Sequence, residues 1–266
     1  MILGVSTGGY INRSAPEAVA RIAEAGVRVI EVSTWRAHFD LTDPGQVDSL
    51  QRALARHQVK AHSLHSPFAW GRELGAVAGG ERREAVQMAC QAARVLATLG
   101  GQVLVVHPLE AHLEPDSPEL AARLAAARRS LEEVLACCRS FGVEMAVEEM
   151  LPHLAGGTPA QLQAVTEGLG EGWGYCLDTS HAALNPVGIP GWVQAMAGRL
   201  ALVHASDNRG RDDDHLPPGQ GTIAWDGVCR ELARAGFAGG VILELNPAHT
   251  GHLAAAVAAT RRLLAM

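Results

Sequence analysis

Several residue types and patterns are scarce in this sequence, and each scarcity excludes a class of protein. Aromatic residues make up 4% of the 266 positions, and Lys60 is the one lysine. Lys60 stands just before a strand-like run, which is the wrong end of a barrel strand for chemistry, so we do not expect a Schiff-base mechanism. No run of about 18 apolar residues is present, so no membrane span is expected. The first residues, MILGVSTGGY, lack the charged and long apolar regions of a signal peptide.

Cysteine is also scarce and follows no pattern. The cysteines are odd in number and include no C-x-x-C spacing. We interpret them as reduced thiols, mostly in the core, of a cytoplasmic protein. They are Cys90, Cys137, Cys138, Cys176 and Cys229.

Positive charge and phosphate-binding glycine motifs are in short supply. The formal net charge is −6 and the pI is near 6.0, whereas broad binding of nucleic acid needs a basic face. A nucleic-acid partner is therefore disfavoured. The motifs G-x-G-x-x-G and G-x-x-x-x-G-K-[ST] are absent. Hydrophobic residues make up 48% of the chain, which is enough for a sizeable core.

Eight candidate strands alternate with candidate helices, and no linker or change in composition divides the chain. The strands are short and apolar without strict alternation, which is typical of parallel strands covered on both faces. The predicted strands are roughly residues 2–6, 28–33, 59–64, 102–107, 144–148, 174–178, 201–204 and 240–244. The predicted helices are residues 15–25, 44–57, 81–99, 118–141, 159–168, 225–235 and 251–264.

This alternation predicts an α/β fold, a (β/α)8 TIM barrel formed by residues 1–266 as a single domain. The alternative is a doubly wound sheet, which would have about five or six strands and usually a glycine-rich phosphate loop. In a TIM barrel the active site lies at the C-terminal ends of the strands.

Nearly every strand-like run ends in a residue that can bind a metal ion. The runs are LHSPF, VLVVHP, MAVEE, YCLDTSH, ALVHASD and VILELN. Successive ligand residues are separated by about one strand plus one helix, so a closed ring of such units would gather them at one mouth. The residues are His65, His107, Glu148, Asp178, His181, His204 and Glu244.

Three carboxylates and one imidazole are the strongest candidates for metal ligands. They are Glu148, Asp178, His204 and Glu244. Such a set suits a divalent ion such as Mn²⁺, Mg²⁺, Co²⁺ or Zn²⁺. Strand-end acids can instead cap helices or pair with arginines, but four equivalent positions in successive units disfavour that alternative. Because adjacent strand residues face opposite ways, we expect Glu148 rather than Glu149 to point inward.

An outer set of residues could bind either metal or substrate. It consists of His65, His107, His181, Asp213 and His215. The last two form a D-x-H pair in the polar segment SDNRGRDDDHLPPGQGTIAWDG. A solvated acidic loop is the simpler interpretation of this segment, but its PPGQG portion favours a stiff loop of specific shape.

Rings and arginines near the same mouth are candidates for substrate binding. Trp35, Phe68 and Trp70 follow the second and third strands and could form the wall of a sugar pocket. Core packing explains each ring almost as well. Arg209 and Arg211 follow the seventh strand and could hold a phosphate or carboxylate.

On these motifs the chain resembles the xylose isomerase-like TIM barrel superfamily, in particular its sugar phosphate isomerase/epimerase branch, which is related to endonuclease IV. The resemblance covers nearly the whole chain and is most specific at LHSPF, VVHP, VEEMLP, CLDTSHA, HLPPGQGTIAWDG and LELNP. For epimerase-type enzymes it implies one divalent metal. Its ligands would be Glu148, Asp178, His204 and Glu244.

The resemblance also implies roles in catalysis. Glu148 and Glu244 would form the acid/base pair: one removes a proton beside a carbonyl, the metal stabilises the enediolate, and the other returns a proton on the opposite face. The residue chemistry agrees, since carboxylates supply proton transfer and a metal lowers the cost of the enolate. The resemblance implies substrate contacts by His181 and Arg211.

Endonuclease IV implies a different reaction, because nine ligands there hold three zinc ions that cleave a phosphodiester. All nine ligand types have counterparts here, and water activated between two or three zinc ions would be a hydrolytic device. The counterparts are His65, His107, Glu148, Asp178, His181, His204, Asp213, His215 and Glu244. The acidic charge and the HLPPGQG loop argue against a DNA role.

The sequence therefore predicts a divalent-metal-dependent sugar or sugar-phosphate isomerase/epimerase. A metal-dependent phosphodiesterase is the alternative, and a metal-holding or sugar-binding barrel without turnover is a third hypothesis. The expected partner is a small-molecule sugar or sugar phosphate, with one metal ion in an isomerase and two or three zinc ions in a phosphodiesterase. A homo-oligomer is compatible with the sequence.

Overall fold

The computed structural model describes residues 1–68, 73–114 and 117–264. Eight parallel strands pair in chain order, and the last pairs with the first to close a barrel. This confirms the (β/α)8 TIM barrel predicted from the sequence. The strands are β1 (Ile2–Ser6), β2 (Val29–Val32), β3 (Lys60–His65), β4 (Val103–Val106), β5 (Glu144–Glu148), β6 (Trp173–Asp178), β7 (Leu200–Ala205) and β8 (Gly240–Leu243).

Helices surround the barrel. The α-helices are α1 (Ala15–Glu24), α2 (Pro44–His57), α3 (Gly79–Thr98), α4 (Pro118–Phe141), α5 (Pro159–Thr166), α6 (Thr179–Leu184), α7 (Gly188–Ala195), α8 (Trp225–Arg234) and α9 (Leu253–Leu263). Short 3-10 helices follow β1 and β8, at Thr7–Tyr10 and Pro247–His252. In the part of the chain that the structure describes, no helix is long and apolar enough to cross a membrane.

Capping residues explain why the helix predictions succeed where they do. At the start of α4 the Ser117 side chain accepts a hydrogen bond from the Leu120 amide at 3.1 Å, with Pro118 in the first turn. At its end Gly142 has φ +68°, a left-handed conformation that glycine adopts without strain. The predicted helix 118–141 is therefore confirmed.

Two short helices between β6 and β7 are absent from the sequence-based assignment. Helix α6 is short, and its N-terminal amides are capped by Asp178, a residue assigned above to metal binding. Helix α7 contains Gly188, Pro190 and Gly191, and these residue types have low helix propensity. Local propensity therefore gives little sign of either helix.

The barrel interior is filled by apolar side chains below the mouth. They are Val103, Val105, Ala146, Cys176, Leu202 and Ile242. At the N-terminal end the His62 ring lies against Gly240, where an added Cβ would approach Nε2 to 2.5 Å. The apolar layer thus separates this end from the C-terminal ends of the strands, where the candidate ligands lie.

The expectation that all cysteines are reduced is wrong for two of them. Cys90 of α3 and Cys137 of α4 form a disulfide, with Cα atoms 5.5 Å apart. The two helices pack side by side, which brings together cysteines that are separated by 47 residues. No local spacing in the sequence signals this contact. Cys138, Cys176 and Cys229 are free thiols.

Candidate active site

Closure of the barrel gathers the C-terminal strand ends around one open cavity. Its volume is about 430 Å³, within the range of about 300–1,000 Å³ that is typical of small-molecule sites. Most of the candidate ligands line it: His65, His107, Glu148, His181, Asp213, His215 and Glu244. Asp178 and His204 lie directly beneath this surface, and both are fully buried.

Glu148, at the end of β5, is the residue on which the histidines converge. Its Oε2 lies 3.3 Å from His107 Nε2 and 3.4 Å from His65 Nε2. Its Oε1 lies 3.3 Å from His204 Nδ1 and 3.8 Å from His181 Nδ1. Burial alone would raise the pKa of Glu148. The charges of His204 and His107 outweigh that effect and hold the pKa well below its usual value. Glu148 is therefore held as a carboxylate.

His204, on β7, lies between three carboxylates. Its Nδ1 is 3.3 Å from Glu148 and 3.5 Å from Glu244, and its Nε2 is 3.1 Å from Glu31 Oε2. Burial lowers the pKa of His204, but Cys176 and these carboxylates raise it well above its usual value. For Glu244 the effect of burial is larger than that of the neighbouring histidines, so its pKa is raised.

Asp178 and Glu149 together shape the start of α6. Asp178 Oδ1 accepts hydrogen bonds from the amides of Ser180 and His181, at 2.7 and 2.9 Å. Glu149 accepts a hydrogen bond from the Asp178 amide at 3.0 Å and does not line the cavity. The inward residue of the Glu148/Glu149 pair is thus Glu148. Burial raises the pKa of Glu149 well above its usual value.

The outer set includes a carboxylate held between two imidazoles. Asp213 Oδ2 lies 3.4 Å from His181 Nε2 and 3.0 Å from His215 Nε2. Burial lowers the pKa of His215, but its contact with Asp213 raises it to about 9. The backbone of His215 is left-handed, with φ +47°, which is uncommon for a residue other than glycine. The nine candidate ligands therefore form one continuous cluster.

The loop that carries Asp213 and His215 is anchored by Asp207, a residue that the sequence analysis leaves unassigned. Asp207 is fully buried. Its carboxylate accepts hydrogen bonds from the amides of Asn208 and Ile223, the amide of Gly219 and the indole N–H of Trp225, at 2.9 to 3.1 Å. This carboxylate thus ties the start of the loop to its end.

Two of the candidate substrate-binding rings lie in the wall of the cavity. Trp35 and Phe68 are in edge-to-face contact, with centroids 5.6 Å apart, and Phe68 lies 4.6 Å from the His107 ring. Trp70 lies outside the described residues. Arg211 is exposed and is not part of the lining.

The arrangement fits a divalent cation. Among the described residues, Glu148 Oε2, Asp178 Oδ2 and Asp213 Oδ1 are buried without a hydrogen bond, and a cation would compensate such buried charge. Ligand-type atoms also come within 4.8 Å of one another in overlapping groups of three. The groups are His65–His107–Glu148, Glu148–Cys176–His204, Glu31–His204–Glu244 and Glu148–Asp178–His181.

Sequence reasoning misses Glu31, which is fully buried and faces His204 from β2. Ser63 of β3 donates a hydrogen bond of 2.8 Å to Glu31 Oε2. A signal does exist, because Glu31 stands inside the apolar run VIEV. A charged residue in the middle of a fully covered strand needs a buried partner.

Comparison with known proteins agrees with the fold and defines the family. Residues 19–265 match the family model described as Xylose isomerase-like TIM barrel, and the chain belongs to that family. An uncharacterized protein of Methanocaldococcus jannaschii is 26% identical over 256 residues, which cover 92% of this chain and 83% of that protein.

Solved structures share the architecture over the whole chain. A D-tagatose 3-epimerase-like protein has a TM-score of 0.87 at 23% identity, covering 100% of this chain and 98% of that one. An L-ribulose 3-epimerase has a TM-score of 0.83 at 15% identity, covering 100% and 95%. The IolI protein with a binding zinc atom has a TM-score of 0.80 at 19% identity, covering 100% and 98%. At these identities the likeness establishes the fold.

Proposed function

We propose that this protein is a divalent-metal-dependent sugar isomerase/epimerase that uses Glu148 and Glu244 as its proton-transfer pair. One observation supports the proposal above the others. The two carboxylates lie 3.3 and 3.5 Å from the same atom, Nδ1 of His204, at the floor of a cavity. The similar solved structures named as a D-tagatose 3-epimerase-like protein and an L-ribulose 3-epimerase support the same reaction class.

The environments of the two carboxylates suit opposite roles. The pKa of Glu148 is held well below its usual value despite burial, chiefly by His204, so Glu148 is present as a carboxylate, the form that a general base requires. Burial raises the pKa of Glu244, so Glu244 is suited to hold and return one. Paired carboxylates whose pKa values are pushed apart are typical of acid/base sites.

The metal would be held by Glu148, Asp178, His204 and Glu244. When bound, it would supply positive charge that lowers the cost of negative charge on the substrate's carbonyl oxygen. Manganese, magnesium, cobalt and zinc all accept this donor set. The protein's part is to remove a proton from the carbon beside the carbonyl with one glutamate and to deliver a different proton to the opposite face of that carbon with the other.

Hydrogen exchange tests the proposal. Metal-loaded protein is incubated in D₂O with a panel of ketoses, and deuterium at the carbon beside the carbonyl is measured by mass spectrometry. We expect exchange with at least one ketose, and a decrease of about 10²- to 10⁴-fold in Glu148→Gln and Glu244→Gln. Glu144→Gln, at the opposite end of β5, is the matched control. Absence of exchange across a broad panel of ketoses would overturn the proposal.

A second candidate is a multinuclear zinc phosphodiesterase. It is favoured by the additional groups that surround the four proposed ligands, His65–His107–Glu148 and His181–Asp213–His215. Metal analysis of protein purified without added metal separates the two functions. Two or three zinc ions per chain, with cleavage of an abasic duplex or another phosphodiester, would favour the hydrolase, and one ion per chain would remove it.

A further inference from the structure

The cavity is chemically divided between a polar floor and an apolar wall. Polar side chains come mainly from the strand ends, as Glu148 and His65 do. Apolar side chains come from the segments that follow the strands. They are Ile11, Trp35, Phe68, Met150, Leu151, Leu154, Leu245 and Pro247. A ligand whose reacting carbons reach the floor therefore places its remaining part against an apolar wall.

Every imidazole of the lining whose charge could matter already lies beside a carboxylate: His107 beside Glu148, and His181 and His215 beside Asp213. Within the described residues the lining contains no arginine or lysine, and its carboxylates are Glu110, Glu148, Asp213 and Glu244. The arginines in the loop after β7 do not change this. Arg209 pairs with Asp214 at 3.2 Å, and Arg211 is exposed outside the lining. A phosphate dianion in the upper cavity would face these carboxylates, and the described lining residues offer it no cationic group without a carboxylate partner.

Three backbone amides in the loops where a phosphate could bind already have side-chain partners. In TIM barrels a phosphate commonly binds to the loops after strands seven and eight and to a helix N-terminus. Here the Asp207 carboxylate accepts hydrogen bonds from the amides of Gly219 and Ile223 in the loop after β7. After β8, Asn246 Oδ1 accepts from the amide of Ala248 at 3.0 Å. The chain's own side chains thus occupy these amides.

We infer that the substrate is an uncharged, unphosphorylated sugar whose end away from the reacting carbons is apolar, as in a deoxy sugar. This inference rests on the proposed function and narrows its substrate class. Hydroxyl groups are needed near the floor, where serine, histidine and carboxylate groups can bind them. Against the wall of Leu151, Leu154 and Met150, a methyl group loses no hydrogen bond to water, whereas a hydroxyl or phosphate would.

Substrate selectivity is tested with ketohexoses presented in three matched forms: the parent sugar, its 6-deoxy derivative and its 6-phosphate. Exchange in D₂O with the metal-loaded enzyme gives kcat/KM for each. We expect the 6-deoxy form to match or exceed the parent, and the 6-phosphate to fall at least about tenfold below it, the effect of roughly 1.4 kcal/mol. A 6-phosphate that exchanges faster than the parent would overturn the inference.

Binding provides a readout that does not need turnover. The corresponding sugar alcohols, which have no carbonyl and cannot react, are titrated by calorimetry as parent, 6-deoxy and 6-phosphate forms. Inorganic phosphate is titrated in parallel to measure direct binding of phosphate to the metal. Two outcomes contradict the inference. One is that the 6-phosphate binds more tightly than the parent by more than the affinity for inorganic phosphate accounts for. The other is that neither uncharged form binds. Sugars that bind without exchanging deuterium contradict the proposed function and leave the inference standing.

A positive charge introduced in the apolar wall should reverse the expected preference for the 6-deoxy sugar over the 6-phosphate. Leu154→Arg is expected to raise kcat/KM for the 6-phosphate and to lower it for the 6-deoxy form. Phe141→Arg adds the same charge at an exposed position on the end of α4, at the opposite end of the barrel, and should change neither. Arg72 lies outside the described residues, and Arg72→Ala is expected to leave the preference unchanged. A preference for phosphate that disappears in Arg72→Ala would overturn the inference.

Discussion

The carboxylate of Glu31 lies 3.1 Å from Nε2 of His204, and both side chains are fully buried. The contact joins the middle of β2 to the end of β7 across the barrel interior. It leaves the other imidazole nitrogen, Nδ1, facing the two proposed catalytic carboxylates. A carboxylate behind a metal-binding histidine fixes its tautomer and ring orientation. We therefore expect Glu31 to be a positioning residue, which acts on the proposed metal site through His204.

Replacement of Glu31 by glutamine should weaken metal binding. The amide keeps the size of the side chain but removes the negative charge behind His204, so we expect metal affinity to fall about 10- to 100-fold. Affinity is measured by competition with a chelator of known strength. The circular dichroism spectrum should remain that of the native protein.

The control for Glu31 is Glu144→Gln, which changes an exposed glutamate at the other end of the barrel. It should leave metal affinity unchanged. Equal affinity in Glu31→Gln and the native protein would show that His204 is oriented without help from this carboxylate.

The pH dependence of stability should reverse when metal is added. In the metal-free protein burial lowers the pKa of His107, but Glu148 and Glu110 raise it from 6.5 to about 9. Burial also lowers the pKa of His215, and Asp213 raises it to about 9 as well. The stability that these protonated histidines contribute to the folded protein is fully present below pH 6.5 and is lost as the pH rises through 9. Metal binding needs neutral imidazole, so metal affinity rises over the same range.

The reversal is measured as Tm against pH, with and without excess Mn²⁺ or Zn²⁺. Metal-free protein should lose several degrees between pH 6.5 and 9, whereas metal-loaded protein should hold or gain stability. His107→Asn should remove part of the metal-free slope. A metal-free Tm that rises across this window would contradict the assignment of protonated histidines in the cluster.

The sequence predicts the fold well because the strands and most of the helices have recognisable local sequence patterns. Covered parallel strands are short apolar runs, and helices begin at residues such as Ser117 and end at glycines such as Gly142. Strand-end ligands follow from the same pattern, since closure of the barrel gathers residues as distant as His65 and Glu244 at one mouth. The roles of those ligands remain predictions.

What the sequence does not predict depends on contacts between distant elements. Glu31 acquires its role only when β2 and β7 face each other across the barrel. Asp207 becomes an anchor only when its loop folds back on it. The Cys90–Cys137 bond depends on the alignment of two long helices. None of these contacts has a fixed spacing along the chain, so even where a local signal exists, as for Glu31 in the run VIEV, it does not reveal the partner residue.

The disulfide should be detectable by thiol counting. Protein denatured without reductant should show three reactive thiols, those of the free cysteines, and five after reduction. Cys90→Ser should lower the free energy of unfolding by about 2–4 kcal/mol, because the crosslink restricts the unfolded chain. Cys229→Ser, which leaves the bond intact, is the control. Five reactive thiols before reduction would show that the helices meet without the bond.

Replacement of Asp207 by asparagine should release the loop that holds Asp213 and His215. The buried carboxylate accepts four hydrogen bonds, from three amides and the Trp225 indole, and asparagine offers one acceptor oxygen in place of two. We expect a loss of about 2–4 kcal/mol in the free energy of unfolding, since buried donors are left unpaired.

Urea denaturation measures this loss, and hydrogen exchange locates it. The amides of Gly219 and Ile223 should exchange faster in Asp207→Asn, while amides of β4 and β5 keep their protection. Asp226→Asn, in the first turn of α8, changes a nearby carboxylate outside this network and should have little effect. Unchanged exchange at Gly219 and Ile223 would mean that the loop keeps its shape without the carboxylate, and that its proline-rich segment is sufficient to place Asp213 against His181.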